Sequence, residues 1–424
     1  MLFVFLGTLF AFLLIGVPIA FGLLLAAVGL MFAMDIFDSQ IIAQNLVSGA
    51  NNFPLMAIPF FMLAGELMNA GGISKRIVNF SMALVGHIRG GLGFVTIVAS
   101  VMFAGLSGSA VADTAALGAI LIPMMLSKGY DRNRSTGLVA AAGIIAPIIP
   151  PSIPMIIFGV VGGVSITQLF MAGIIPGLML GIGLMIAWYL VARKGNYPTS
   201  QKATPREIFK AFRDAIWALF LPAIIIGGLR GGIFTPTEAA VVAAVYALFV
   251  GMVIYRELKV HQLVEVLVAA AKTTGVVMFV AAAAMASAWL ITVAQLPTEL
   301  AGLLGGLTNS PTLVLILIMI FLLFLGMVMD MTPAILIFTP VFLPMVVELG
   351  YNPVYFGLLM VLNLTIGLIT PPVGTVLYVG CGISKISIMD ITKGIWPFLL
   401  VEIIVLFLLV FFPQIVTVPL QWFL

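Results

Sequence analysis

Residues 105–159 and 326–380 align without a gap at an offset of 221, and this internal repeat constrains the fold more than any other feature of the chain. The first copy reads Gly105-Leu-Ser-Gly-Ser-Ala-Val-Ala-Asp113, then Pro123-Met124, Gly129-Tyr130 and Pro150-Pro151. The second reads Gly326-Met-Val-Met-Asp330-Met-Thr332-Pro333, then Pro344-Met345, Gly350-Tyr351 and Pro371-Pro372. Of the 55 aligned pairs 11 are identical, and the shared order of Gly and Pro carries more weight than that number. Hydrophobic segments interrupted at matching places in two halves point to a transport site near the bilayer midplane, between the repeats.

Composition decides the solvent. Hydrophobic residues make up 63% of the 424 residues and charged residues 8%, with a mean hydropathy of +1.28, against about 25% charged in a soluble domain. The spans belong in lipid, and apolar runs of about 20 residues are long enough to cross as helices. The N-terminus lacks the basic start of a signal peptide and reads as a retained first helix. Cys381 is the single cysteine, so no internal disulfide forms. His87 and His261 sit in charged connections with no partners at metal-ligand spacing. The basic residues lie between spans, where they set orientation rather than bind nucleic acid.

The expected architecture is an all-α polytopic membrane protein. The first repeat, 1–192, begins with two spans over 2–34, an interfacial polar stretch, and a span at 54–71 that carries Glu66. Lys75, Arg76 and Arg89 mark a connection. Residues 92–127 then read as a re-entrant helical hairpin, with flanks of about 14 residues around a polar centre at 105–114. Such flanks are too short to span at 1.5 Å per residue, and an irregular tip survives in the membrane only when buried in protein or facing water. A span broken near Pro147–Pro154 covers 135–163, and another runs over 170–192. Residues 193–214 form a cytoplasmic connection. The second repeat, 215–424, has spans at 215–230 and 237–254, a charged segment at 256–271, a span at 273–296, a second hairpin at 312–347, a broken span at 353–380 and a closing span at 395–412.

Charge supports inversion. If the two hairpins enter from opposite sides, the first from the cytoplasm, 17 of the 18 Lys and Arg fall at the cytoplasmic face and only Arg230 falls outside. The loops flanking the second hairpin, 303–311 and 348–353, carry none. Positive-inside bias therefore predicts an inverted repeat with both termini periplasmic.

The tips carry the chemistry. Ser107, Gly108, Ser109 and Asp113 face the break at Pro147–Pro151 with Ser152, and Asp330, Met331 and Thr332 face the break at Thr370–Pro372 with Gly374 and Thr375. Proline removes a donor and frees carbonyls, and carbonyls with hydroxyls form a hard-oxygen cage suited to Na⁺. Half-helix N-termini favour anions, so Gly108, Asp113, Ser152, Asp330, Asn363 and Thr375 are candidate substrate contacts. Few cations lie in the expected membrane core, which makes a co-bound cation physically reasonable for an anionic substrate. Proton coupling through Glu66, Asp113 or Asp330 is the rival reading. A purely structural role also fits: Asp113 as an N-cap, and Thr332-Pro333 as N-cap and N1. Thr235-Pro236-Thr237-Glu238 reads as a capping box opening a span.

Taken together, Ile58-Pro59-Phe60-Phe61-Met-Leu-Ala-Gly65, the Ser107–Asp113 tip, Pro147-Ile-Ile-Pro-Pro-Ser152, Gly232-Ile-Phe-Thr-Pro-Thr-Glu238 and Ile369-Thr-Pro-Pro372 resemble the large membrane subunit of tripartite ATP-independent periplasmic (TRAP) transporters. The resemblance covers nearly the whole chain. It implies a Na⁺-driven importer in a bacterial inner membrane, served by a periplasmic substrate-binding protein and a separate four-helix membrane subunit. It implies an elevator, with one Na⁺ site at Ser107, Ser109 and Pro150 and another at Gly326, Thr332, Gly367 and Thr370. Its substrates are small carboxylates: C4-dicarboxylates, keto acids or sialic acids. A stand-alone H⁺- or Na⁺-coupled anion transporter is the alternative. An intramembrane hydrolase built on Asp113 and Asp330 lacks a nucleophile or metal signature, and a passive channel has no need of two buried hairpins.

Overall fold

A computed structural model describes residues 1–195, 197–199, 201–305, 308 and 310–423. Among the described residues every regular element is helical, and eight helices of 18 residues or more are apolar enough to cross a membrane. The chain is an all-α polytopic membrane protein. Positions 196 and 200 of the 193–214 connection, and 306, 307 and 309 of the 303–311 loop, lie outside the described residues.

Both hairpins form. The first comprises Gly91–Ser107 and Ala110–Ser127, the second Pro311–Gly326 and Met331–Glu348. Their arms have 17, 18, 16 and 18 residues, longer than the 14 expected, so the irregular tips shrink to 108–109 and 327–330. The reason is local. Ser109, not Asp113, caps the second arm: its side chain accepts from the Ala112 amide at 3.4 Å, and the helix starts at once. In the second copy the cap position is Asp330, which leaves Thr332 and Pro333 inside the first turn rather than at cap and N1.

Each hairpin is followed by a broken helix. Arg132–Gly143 and Ile153–Gly162 form the first, Pro353–Gly367 and Thr375–Ser384 the second. The bonds Pro150–Pro151 and Pro371–Pro372 are both cis, at the same place in the two repeats. Returning helices Ile166–Lys194 and Ile388–Phe411 pack against these.

The hairpins enter from opposite ends. At one end Arg89 donates to the Gly195 carbonyl at 2.8 Å, Arg76 pairs with Glu257 at 2.8 Å, Tyr255 donates to the Asp214 carbonyl at 2.9 Å, and Arg132 donates to the Ser384 carbonyl at 3.5 Å. Arg89 and Lys128 flank the first hairpin, and Ser384 ends the second broken helix, so basic connections from both halves gather here. At the other end the Met1 ammonium pairs with Glu299 at 3.2 Å, Arg230 donates to the Trp422 carbonyl at 3.3 Å, and Tyr355 donates to the Leu409 carbonyl at 2.9 Å. Tyr355 opens the broken helix that directly follows the second hairpin.

Several boundaries differ from the sequence reading. Residues 256–271 and 273–296 are not two elements: Val260–Val293 is one helix of 34 residues. Its counterpart at the offset of 221 starts at Ser39 and breaks at Asn51–Asn52, giving Ser39–Ala50, a 3₁₀ turn over Phe53–Met56, and Ala57–Ala70. Pro54, which has no amide to donate, makes the difference. The connection after residue 71 contains an amphipathic helix, Ile73–Val85, that bears Lys75 and Arg76. The last ten residues of the 193–214 connection are already helical, because Thr204 and Glu207 form a second capping box that opens Pro205–Arg230. Short helices Leu296–Gly305 and Gln414–Phe423 were not anticipated. The capping box at Thr235 and Glu238 forms as read, with Glu238 accepting from the Thr235 amide at 2.7 Å.

Candidate functional site

The first tip is wired to itself and pressed onto the broken helix beside it. Ser107 donates its hydroxyl to Asp113 and accepts from the Ser109 amide at 3.1 Å. Gly108 turns the chain at φ +63°, a left-handed conformation that a side chain rarely adopts. A β-carbon there would sit 2.5 Å from the Pro151 carbonyl oxygen, so only glycine allows the approach. Ser152 caps the second half of the broken helix, accepting from the Met155 amide at 3.3 Å and donating to the Pro147 carbonyl. Ser107, Ser109, Pro150, Gly108 and Ser152 thus share one neighbourhood of hydroxyls and backbone carbonyls.

Asp113 lies behind this tip. It is fully buried, with one carboxylate oxygen held by Ser107 and the other without a hydrogen-bond partner. The adjacent Thr114 hydroxyl is also buried and unpartnered.

At the second tip the backbones themselves meet. Gly326 ends the first hairpin arm against Gly367, which ends the first half of the broken helix; a β-carbon on Gly326 would lie 3.1 Å from the Gly367 Cα. The Val373 amide then donates across to the Met327 carbonyl at 3.2 Å. Thr370 donates its hydroxyl to the Ile366 carbonyl at 2.8 Å, four residues back. Gly326, Gly367 and Thr370 are therefore grouped, while Thr332 lies one turn further on and faces the space between the tips. Asn363 lies deeper: its amide donates to the Met319 carbonyl at 2.7 Å and fastens the broken helix to the hairpin, with its own carbonyl oxygen unpartnered. Thr375 opens the second half-helix, and its buried hydroxyl has no partner.

Both tips border one cavity of about 480 Å³, within the roughly 300–1,000 Å³ of small-molecule sites. Gly108, Ser109 and Val111 come from the first tip, Asp330, Met331 and Thr332 from the second, and Ile153, Pro154 and Leu368 from the broken helices. The facing wall is different in origin. It consists of Met62 on Ala57–Ala70 and Lys272, Thr273, Val276 and Val277 on Val260–Val293. Asp113, Asn363, Ser152 and Thr375 do not line the cavity.

Lys272 and Thr273 were missed as site residues. The sequence reading puts Lys272 in a connection between the charged segment at 256–271 and the span at 273–296; the structure puts it inside one helix, where it lines the cavity. The usable signal was the spacing 272, 273, 276, 277, one face of an unbroken helix.

Residues 6–415 match the family described as the tripartite ATP-independent periplasmic transporter, DctM component. The chain is 57% identical over 419 residues to the 2,3-diketo-L-gulonate TRAP transporter large permease protein YiaN of Escherichia coli K12, covering 99% of each. It is 42% identical over 409 residues to the sialic acid TRAP transporter large permease protein SiaM of Vibrio cholerae, covering 96% of this chain and 95% of that one. Its fold is similar to the crystal structure of the Alcanivorax borkumensis YdaH transporter, with a TM-score of 0.62 over 88% of this chain and 89% of that one at 15% identity. A membrane chain with two hairpins meeting on one cavity, matched along nearly its whole length, belongs to the DctM component family of TRAP transporters, and is a transport permease rather than an enzyme.

Proposed function

We propose that this chain is the transport pathway of a Na⁺-coupled importer of a small carboxylate, moving by an elevator mechanism in a bacterial inner membrane. The observation that carries the reading is the shared cavity: two hairpin tips on one side, a wall from two helices outside the hairpins on the other. Such a wall is suited to stay fixed while the tips and broken helices slide past it, which exposes the same space first to one side and then to the other.

Behind each tip lies a group of hard oxygens. Ser107, Ser109 and the carbonyls at Pro150 and Pro151 supply the first; Thr370 with the carbonyls around Gly326 and Gly367 supplies the second. Oxygen-only donor sets of this kind suit Na⁺, and a bound cation near the cavity offsets the repulsion an anion meets on entering a region of low dielectric. The keto sugar acid and sialic acid named for the relatives are both carboxylates, which supports that substrate class. A tripartite transporter calls for two further components, here a small membrane subunit and a periplasmic binding protein. In this reading both chain termini lie at the periplasmic face, because the basic connections mark the cytoplasmic one.

The test is uptake in proteoliposomes that contain this chain with its small subunit. Uptake is expected only when an inward Na⁺ gradient and loaded binding protein are both present. Uptake that persists without either defeats the proposal.

A further inference from the structure

The cavity wall opposite the tips carries one cation, Lys272, and the reading above gives it no role. Its position is specific. It stands twelve residues into the 34-residue helix Val260–Val293, with 21 residues, about 32 Å at 1.5 Å per residue, of the same helix beyond it. Lys272 faces the cavity, side by side with Thr273 and across from Asp330 and Thr332. Among the described residues it makes no ion pair within 4 Å, with Asp330 or with any other acid. In the first repeat the position at the same offset is Asn51, at the end of Ser39–Ala50. The cation thus belongs to one half only and breaks the symmetry of the site.

We infer that the Lys272 ammonium receives a carboxylate of the transported anion, with the Thr273 hydroxyl beside it as a second donor. This rests on the proposed carboxylate transport and deepens it: substrates are held between a fixed cation on the wall and the hydroxyl and amide donors of the tips. An ammonium is a compact three-donor point charge, suited to a carboxylate without the bidentate fork of an Arg. Because Lys272 is on the wall and not on a tip, it holds the substrate only while the tips stand opposite it. A carboxylate is therefore recognised in that position by charge, and uncharged analogues of equal size are not.

The experiment compares wild type with Lys272→Gln, Lys272→Met and Lys272→Arg, reconstituted with the small subunit and binding protein. Labelled 2,3-diketo-L-gulonate and sialic acid are the transported probes, and sialic acid methyl ester is the uncharged competitor. Loss of one charge-assisted contact raises the acid's half-saturation by about tenfold or more. The expected result is that rise in the Gln and Met variants, with Arg within about threefold of wild type, the preference for acid over ester abolished, and Na⁺ half-saturation and thermal midpoint unchanged. Unchanged acid half-saturation and an unchanged acid-to-ester preference in folded Gln and Met variants overturn the inference and leave carboxylate transport standing. A change confined to Na⁺ half-saturation also overturns it, since Lys272 would then balance Asp330 rather than substrate. If wild type takes up no carboxylate under any Na⁺ gradient, the proposed function itself fails.

Discussion

Gly326 and Gly367 meet backbone to backbone: a β-carbon on Gly367 would lie 2.5 Å from both the Cα and the carbonyl carbon of Gly326. The contact joins the end of a hairpin arm to the end of a half-helix, where carbonyls lose their intrahelical partners. Adding one methyl group must therefore push a hairpin off a broken helix, and overpacking of this kind costs about 1–3 kcal/mol. Gly367→Ala is expected to raise the Na⁺ concentration for half-maximal uptake several-fold and to lower the thermal midpoint. Gly275→Ala, inside Val260–Val293 with nothing within 4 Å of the added carbon, is the control: it leaves Na⁺ half-saturation unchanged and does not lower the midpoint, since Ala is the better helix former.

Ser107→Ala and Thr370→Ala remove one hydroxyl from each oxygen group. Each is expected to raise Na⁺ half-saturation, and the double variant to show the sum of the two free-energy changes, because the residues share no partner. Steady-state uptake against Na⁺ concentration measures this. Unchanged Na⁺ affinity in both single variants would remove the cation assignment.

Thr235 caps Pro236–Phe249 and holds Glu238 in a reciprocal capping box. Thr235→Ala should cost about 1 kcal/mol of stability while uptake per folded protein stays the same. Circular dichroism melts and uptake normalised to folded transporter check it. Lost uptake with an unchanged melt would move this motif from structure to transport.

Glu402 sits fully buried in Ile388–Phe411, and neither carboxyl oxygen has a hydrogen-bond partner. Buried polar groups without partners cost about 1–3 kcal/mol, so Glu402→Leu is expected to raise the thermal midpoint and to leave Na⁺-driven uptake intact. If uptake falls while the protein becomes more stable, the acid serves transport and proton coupling returns as a reading.

Local signals were the most legible. Thr235 and Glu238 announce their helix through four consecutive residues, and Pro150-Pro151 and Pro371-Pro372 mark both breaks because proline acts on its own backbone. Helix starts at the tips were harder. Ser109 and Asp113 are both good N-caps, and the choice fell to Ser109 because the left-handed Gly108 turns the chain just before it. Lys272 reads as a loop residue between 256–271 and 273–296, whereas the helix around it continues unbroken from Val260 to Val293. The meeting of Gly326 with Gly367, or of Asn363 with the Met319 carbonyl, depends on packing over 41 and 44 residues of chain, which no local pattern encodes.

Alternating exposure of the cavity between the tips is the central claim, and the single cysteine makes it directly measurable. With Cys381 replaced by Ser, Val111→Cys places a thiol on the first tip, lining the cavity, at a residue 39% exposed. The rate of its modification by a membrane-impermeant maleimide is then measured from each side of sealed vesicles, with and without Na⁺. Reaction from both sides is expected, with Na⁺ and substrate raising one rate as they lower the other. Reaction from one side only under every condition, or rates at the two sides that rise and fall together, would contradict a site that passes between the two faces of the membrane.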